Sequence, residues 1–266
     1  MTTRVWRGAV LSDPHGDLVA LTRVVSDMEV RGPFDEVLLG GDLAQGGPQP
    51  AETIDFIRAK GWASVRGNSD DLLIRLADGM SWEEAFGYGS HTHPPPRPEQ
   101  VTRAQWSVEQ LGPDRIAYLR SLPMSIRRGP YPFGSLVLVH ATPWSTEDVI
   151  LPDADEALGL RAVQEADAGL LLYGHIHTQY LRHVDDATLM SLGAVGGSND
   201  GDPRPAYVIV TIGENVTVEP RRVEWPKEER VRAYDQARID RSFVRADPGP
   251  LPVRCEANTP ATIWPR

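Results

Sequence analysis

Asp13, His15, Asp42, Asn68, His140, His175 and His177 offer carboxylate, amide and imidazole donors, and each closely follows a short apolar run. They occur in five clusters: Ser12-Asp13-Pro14-His15-Gly16-Asp17, Gly40-Gly41-Asp42, Arg66-Gly67-Asn68-Ser69-Asp70, Val139-His140-Ala141 and Gly174-His175-Ile176-His177. Oxygen and imidazole donors without thiolate suit hard to borderline divalent metals (Mn, Fe, Zn, Ni or Co), among which affinity alone does not choose, and argue against Cu(I) or an iron–sulfur cluster. Seven such side chains exceed one tetrahedral shell and match two divalent ions sharing a carboxylate, with water completing each shell. Asp42 is the natural bridge. Asp13 and Asp42 bring two negative charges against the four positive charges of such a pair, so the site keeps a surplus that attracts hydroxide and phosphate. A metal lowers the pKa of bound water from 15.7 to roughly 7, an activation that nothing else in the chain offers.

Positioning these donors calls for a sheet. The runs Gly8–Leu11, Val37–Leu39, Ala63–Val65, Leu136–Val139 and Leu170–Tyr173 are short, apolar and punctuated by Gly, as buried strands are. Ligands in open α/β sheets gather outside the carboxyl ends of the strands, so donors one step beyond each strand share a crevice. The two-residue spacing of Asp13 with His15 and of His175 with His177 predicts extended chain there, where alternate side chains share a side.

Between these runs the spacing is helical. Leu18 to Val30 places Leu18, Leu21, Val24, Val25 and Met28 on one face, and Ala51–Lys60 and Asp70–Ala77 repeat the pattern, so residues 1–77 read as βαβαβα with parallel strands. Asp78 to Met124 reads as a helical insertion: a loop with His91, His93 and three prolines, then helices over Glu99–Leu111 and Pro113–Ser121. A helix over Ala154–Ala166 restores the alternation, and strands over Gln179–His183, Thr188–Leu192, Ala206–Ile212 and Val216–Val223 are expected to complete a second sheet. The expected organisation is one domain over 1–225, with an insertion at about 78–124, followed by a C-terminal helix (Lys227–Ser242) and a Pro-rich tail. That tail, Asp247–Arg266, is expected to be a surface strap or disordered.

Read singly, these clusters are ordinary: a strand exit, a helix start, a turn former, a core histidine. Their order carries the weight. D-x-H, G-D, G-N, H and G-H-x-H in succession, over roughly Val10 to Val210, resemble the calcineurin-like metallophosphoesterase family and its bacterial phosphodiesterase-like members. The resemblance implies an α/β fold, a four-layer α/β/β/α sandwich of two mixed sheets with the metal pair at the sheet edges. It further implies that Asp13, His15 and His177 serve one metal, Asn68, His140 and His175 the other, and Asp42 both, with Asp42, Asn68 and His140 in catalytic roles. The implied reaction is in-line attack on phosphorus by a metal-bridging hydroxide.

Departures from the family pattern narrow the reading. Ser69 stands where many members carry a His that contacts phosphate and protonates the leaving oxygen, and some bacterial members carry Cys. Gly41-Asp42-Leu43-Ala44-Gln45-Gly46-Gly47 lacks the extended second block of the protein Ser/Thr phosphatases, and Ala141 replaces a frequent Gly. Ser191–Gly196 and Asp200–Arg204 resemble N-P-G-S-V-G and D-G-x-P stretches, apart from the first residue.

The expected function is therefore a dimetal-dependent phosphoesterase, cleaving a phosphodiester, a nucleotide polyphosphate or a small phosphomonoester. Diesters and anhydrides come first, since losing the acid at Ser69 hurts them least. The alternatives are an interaction scaffold on the same fold, disfavoured by the complete donor set, and a nuclease, which needs a basic track. A formal net charge of -10 disfavours long nucleic acid and favours a small phosphate ester as the partner. Arg66 is a candidate phosphate contact and Asp70 a candidate support or helix cap. His91 or His93 is a candidate substitute acid, and Gly16, Gly41, Gly67 and Gly174 are expected to permit tight turns. Cys255 is the only cysteine and no stretch reaches the roughly 18 apolar residues of a membrane span, so a cytoplasmic protein without membrane contact is expected.

Overall fold

The computed structural model describes residues 5–86, 98–239 and 258–265. Its first part alternates as the sequence predicts: β1 (Trp6–Leu11), α1 (Leu18–Arg31), β2 (Glu36–Leu39), α2 (Pro50–Lys60), β3 (Ala63–Ser64) and α3 (Asn68–Ala77). β1 pairs parallel with β2, and β2 with β3. Local chemistry sets the ends of these helices. Asp17 caps α1 by accepting from the Ala20 amide at 3.0 Å, while Pro50 opens α2 and the left-handed Gly61 closes it.

The expected insertion contains a short α4 (Trp82–Ala85) and a long α5 (Pro98–Ser121). Gly112, at φ 63° and ψ 175°, breaks α5 just before Pro113, where the sequence predicts one helix to stop and the next to start. Next come β4 (Ser125–Tyr131), β5 (Gly134–Val139), α6 (Glu156–Ala166), β6 (Leu170–Tyr173), β7 (Gln179–Val184) and β8 (Ala187–Leu192). They form a five-stranded sheet in the order β4-β5-β6-β8-β7, with β5, β6 and β8 parallel.

The expectation that all later strands join this second sheet is corrected. β9 (Ala206–Ile212) and β10 (Val216–Arg222) cross back, and β9 pairs antiparallel with β1 in a six-stranded sheet ordered β11-β10-β9-β1-β2-β3. Six of the seven β9 residues are buried, which suits its interior place between β1 and β10, but such a run fits either sheet, and the antiparallel pairing with β1 is what sets its membership. α7 (Lys227–Ala237) follows, and β11 (Ala261–Trp264) pairs antiparallel with β10, so the described end of the Pro-rich tail is an added edge strand. β4 carries no strand signal because only Ile126 of its seven residues is buried; it is a polar edge strand.

Alternation along the central strands builds the layers. Ala9, Leu11 and Leu39 face a cluster containing α1, α2, α3 and α5 residues, whereas Val10, Leu38 and Val208 face Leu138, Leu172 and Met190 between the two sheets. Val137, Val139, Leu171 and Leu189 turn the other way, onto α6. The result is the α/β/β/α sandwich with two mixed sheets. No described helix is long and apolar enough to cross a membrane.

The inter-sheet layer fixes how the two strand edges meet. Leu172 is fully buried within it, so Leu172→Ala is expected to lower the unfolding free energy by about 2–5 kcal/mol in urea denaturation. A loss below about 1 kcal/mol would mean that the sheets do not rely on this contact.

Candidate metal centre

The carboxyl ends of the parallel strands from both sheets open onto one crevice. Asp13 and His15 lie in the turn after β1, Asp42 in the loop after β2, and Asn68 opens α3; His140 follows β5, and His175 and His177 follow β6. All seven predicted donors come together, in two groups that meet at Asp42. In one, His15 Nε2 lies 3.5 Å from Asp42 Oδ2 and 3.0 Å from His177 Nε2, which is 3.3 Å from Asp13 Oδ1. In the other, Asn68 Oδ1 lies 2.8 Å from His140 Nε2 and 3.1 Å from His175 Nδ1, and His140 Nε2 is 3.4 Å from Asp42 Oδ1.

Backbone carbonyls aim the imidazoles. His15, His140 and His177 each set Nδ1 against a carbonyl, of Gln45 at 2.7 Å, Gly40 at 2.7 Å and Gly197 at 2.6 Å. His175 is reversed, with Nε2 3.1 Å from the Glu147 carbonyl. A carbonyl can only accept, so each of these nitrogens carries the N–H and the opposite ring nitrogen of a neutral imidazole turns its lone pair inward. In the neutral rings the two Nε2 atoms, 3.0 Å apart, are both acceptors, and the buried Asp13 Oδ1, 3.3 Å from His177 Nε2, then receives no hydrogen bond. Convergent lone pairs beside an orphaned carboxylate oxygen are what a divalent cation satisfies, so the donor set fits metal. Two triads, Asp13/His15/His177 and Asp13/Asp42/His140, bring their donor atoms within 4.8 Å of one another.

Electrostatics agree with the crowding. Burial alone would raise the Asp13 carboxyl, yet the imidazoles of His177, His140 and His15 hold it well below the ordinary carboxylate range, and Asp42 is lowered likewise by His140 and His15. Burial depresses His15 and His175, the latter also through His140. At His140 and His177 the nearby carboxylates overcome burial and raise the pKa.

The loop geometry corrects the expectation of extended chain. Asp13, His15, Asp42, His175 and His177 have φ of 55°, 48°, 55°, 65° and 56°. The paired donors share a side because each sits in a left-handed turn, not because alternate residues of a strand do. Non-glycine residues in this region cost of order 1–3 kcal/mol each and persist only where their surroundings over-determine them. Gly16 and Gly41 also have positive φ, as expected of turn glycines. Gly67 and Gly174 answer to close approach instead: a Cβ would fall 2.1 Å from Asp42 Oδ1 at Gly67 and 2.3 Å from Asp13 Oδ2 at Gly174.

Asp70 is one of the surrounding constraints. Its buried carboxylate accepts from the amides of Asp42, Leu43 and Gly67, each at 2.9 Å, so it supports the loops instead of facing substrate. Burial, together with the Asp42 charge, pushes its pKa up to about 7. Arg66 pairs with Asp71 at 2.8 Å and reaches the Arg120 carbonyl at 3.3 Å, neither of which belongs to the donor set. His91 and His93 lie outside the described residues. Two features escape sequence reasoning. Ser69 donates from N and Oγ to the two oxygens of Asp42, at 2.8 and 2.7 Å, and the four carbonyl anchors are backbone groups that leave no residue-type signal.

Residues 7–215 match the model of the calcineurin-like phosphoesterase superfamily domain. An uncharacterized protein of Methanocaldococcus jannaschii is 24% identical over 219 residues, covering 76% of this chain and 81% of that protein. The symmetrical bis(5'-nucleosyl)-tetraphosphatase of Methylococcus capsulatus is 32% identical over 136 residues, covering 49% of this chain and 41% of that enzyme. Among solved structures, a metallophosphoesterase from Sphaerobacter thermophilus has a TM-score of 0.70 at 24% identity, covering 91% of this chain and 97% of its own. A hypothetical protein from Pyrococcus horikoshii OT3 has a TM-score of 0.75 at 18% identity, covering 92% and 99%. The two structural likenesses establish the fold.

Replacing Asp70 by Ala strips the acceptor from three buried amides around Asp42. It is expected to cost about 3 kcal/mol or more in urea unfolding and to lower the metal retained after dialysis, measured by elemental analysis. A cost under about 1 kcal/mol would mean that these amides find other partners.

Proposed function

The chain belongs to the calcineurin-like phosphoesterase superfamily, and from that footing we propose that it is a dimetal phosphohydrolase acting on a small phosphate ester, with phosphodiesters and nucleotide polyphosphates ahead of alkyl phosphomonoesters. The observation that carries the proposal is the convergence of four carbonyl-anchored imidazoles on Asp13, Asp42 and Asn68. Asp13, His15 and His177 would hold one divalent ion, Asn68, His140 and His175 the other, and Asp42 both. Manganese is the first expectation, and Fe, Zn, Ni and Co suit the same donors. Bound there, such ions supply Lewis acidity and bring the pKa of water down to roughly 7.

The chain's own residues set the substrate preference. Ser69 gives its hydroxyl hydrogen to Asp42 Oδ2, so the side chain at this position orients a carboxylate and leaves no proton for a departing oxygen. A leaving group that departs without protonation, such as a nitrophenolate or a nucleotide phosphate, suffers least from that lack. The likeness to a tetraphosphatase over part of the chain lends support to the polyphosphate branch. The acidic balance argues against a long nucleic acid, whose binding rests on Lys and Arg neutralising backbone phosphates. Arg66, as a phosphate contact, would have to leave Asp71.

Chelation followed by manganese is expected to abolish and then restore hydrolysis, and Asp42→Ala to reduce it to background. Bis(p-nitrophenyl) phosphate is expected to turn over faster than an alkyl phosphomonoester in steady-state assays. The reverse ranking, or activity that survives chelation and loss of Asp42, overturns the proposal.

A further inference from the structure

Arg222, at the end of β10, is buried with only 6% of its surface exposed, and its hydrogen bonds go to residues other than the seven donors. Its guanidinium donates from all three nitrogens. Nε reaches Gln179 Oε1 at 3.2 Å, and Nη1 reaches Ser198 Oγ, the Asp202 carbonyl and the Arg204 carbonyl at 3.2, 3.2 and 3.1 Å. Nη2 forms a close ion pair with the buried Asp200. Asp200 in turn accepts from the Gln179 amide at 2.9 Å and from Ser198 Oγ at 2.6 Å. One side chain thus ties β10 in the first sheet to the loop before β9 and to the start of β7 in the second.

That loop carries the Gly197 carbonyl, the anchor of His177 Nδ1 at 2.6 Å. Gly197 has φ 96° and nothing within 4 Å of where a Cβ would stand, so neither sterics nor a side chain of its own fixes the peptide. Its neighbours must. Gly196 is tied to the first donor loop by its amide, 2.9 Å from the Asp13 carbonyl, and Ser198 is tied to Arg222 and Asp200.

We propose that Arg222 is a positioning residue for His177, holding the 197–198 peptide so that the Gly197 carbonyl fixes the ring's tautomer and aim. The inference rests on the dimetal reading and singles out one of its two metal positions, the one His177 serves. Lysine keeps the charge beside Asp200 but cannot supply five N–H groups in a fixed fork, so Arg222→Lys tests the role without stranding a buried carboxylate.

Two measurements on the full chain decide it. In manganese titrations well below the melting temperature, R222K is expected to weaken one of two positions about 10- to 100-fold and to spare the other. In metal-free protein at mildly alkaline pH, the ring nitrogen shifts of His177 are expected to report a single Nδ1-protonated tautomer in wild type and a tautomer mixture in R222K. A lower Tm with wild-type titrations and an unchanged tautomer overturns the proposal and leaves Arg222 a structural tie, as does equal weakening of both positions. If wild type takes up no manganese, the dimetal reading fails, while the His177 shifts still decide the positioning role.

Discussion

Lone pairs that repel one another must be held at a common point, and much of the structure follows from that requirement. His15 and His177 bring two acceptor nitrogens to 3.0 Å, and Asn68 Oδ1 lies within about hydrogen-bonding distance of two more imidazoles. In a flexible chain these groups would swing apart into water. Here each ring is leashed by a carbonyl outside its own loop, so the rings cannot relax without moving backbone. The backbone is itself constrained: Asp70 gathers three amides under Asp42, and the hydroxyls of Tyr173 and Tyr180 meet the Ile150 carbonyl, fixing the loop that presents Glu147. Five left-handed donors and their turns are the local expression of that constraint, tolerable because the surroundings offset strain of order 1–3 kcal/mol per residue.

The two-sheet architecture explains why such a site can be assembled at all. A single parallel sheet would align donor loops along one edge, but Asp13 and Asp42 would then face a row and not a ring. Stacking β1 and β2 against β5 and β6 sets the carboxyl ends of two parallel pairs opposite each other, so donors from one sheet close the shell opened by the other. The apolar layer between them, Val10 and Leu38 against Leu138 and Leu172, is therefore a spacer as well as a source of stability.

The sequence made legible what residue type and period encode. Buried strands of β1, β2, β5 and β6, the break at Gly112–Pro113 and the seven donors were readable because apolar runs, turn residues and metal-type side chains leave direct marks. What stayed hidden was of three kinds. β4 is a polar edge strand with a single buried residue, so period 2 had nothing to register. The membership of β9 in the first sheet depends on a partner chosen across the molecule, and its apolar run fits either sheet equally well. Backbone supports, such as the Gln45 and Gly197 carbonyls, are common to all residues and take their role from conformation alone. The spacing of Asp13 with His15 pointed to convergence for the wrong reason, since both residues sit in left-handed conformation and not in extended chain.

Support for the site also extends beyond the stretch that matches the family, which ends at residue 215. Arg230 of α7 pairs at 2.5 Å with Asp17, whose other oxygen caps α1 at the exit of the first donor loop. Asn258, far along the chain, accepts from the Arg222 amide at 3.2 Å and donates its own amide to the Pro220 carbonyl at 2.7 Å, steadying the end of β10. Buried pairs of this sort add little net stability, because desolvation cancels much of the attraction, but removing one partner strands a charge. Their effect is to penalise displacement of specific loops. The donor residues offer the ligand atoms, whereas residues 222, 230 and 258 bear on how firmly two of the donor loops are held.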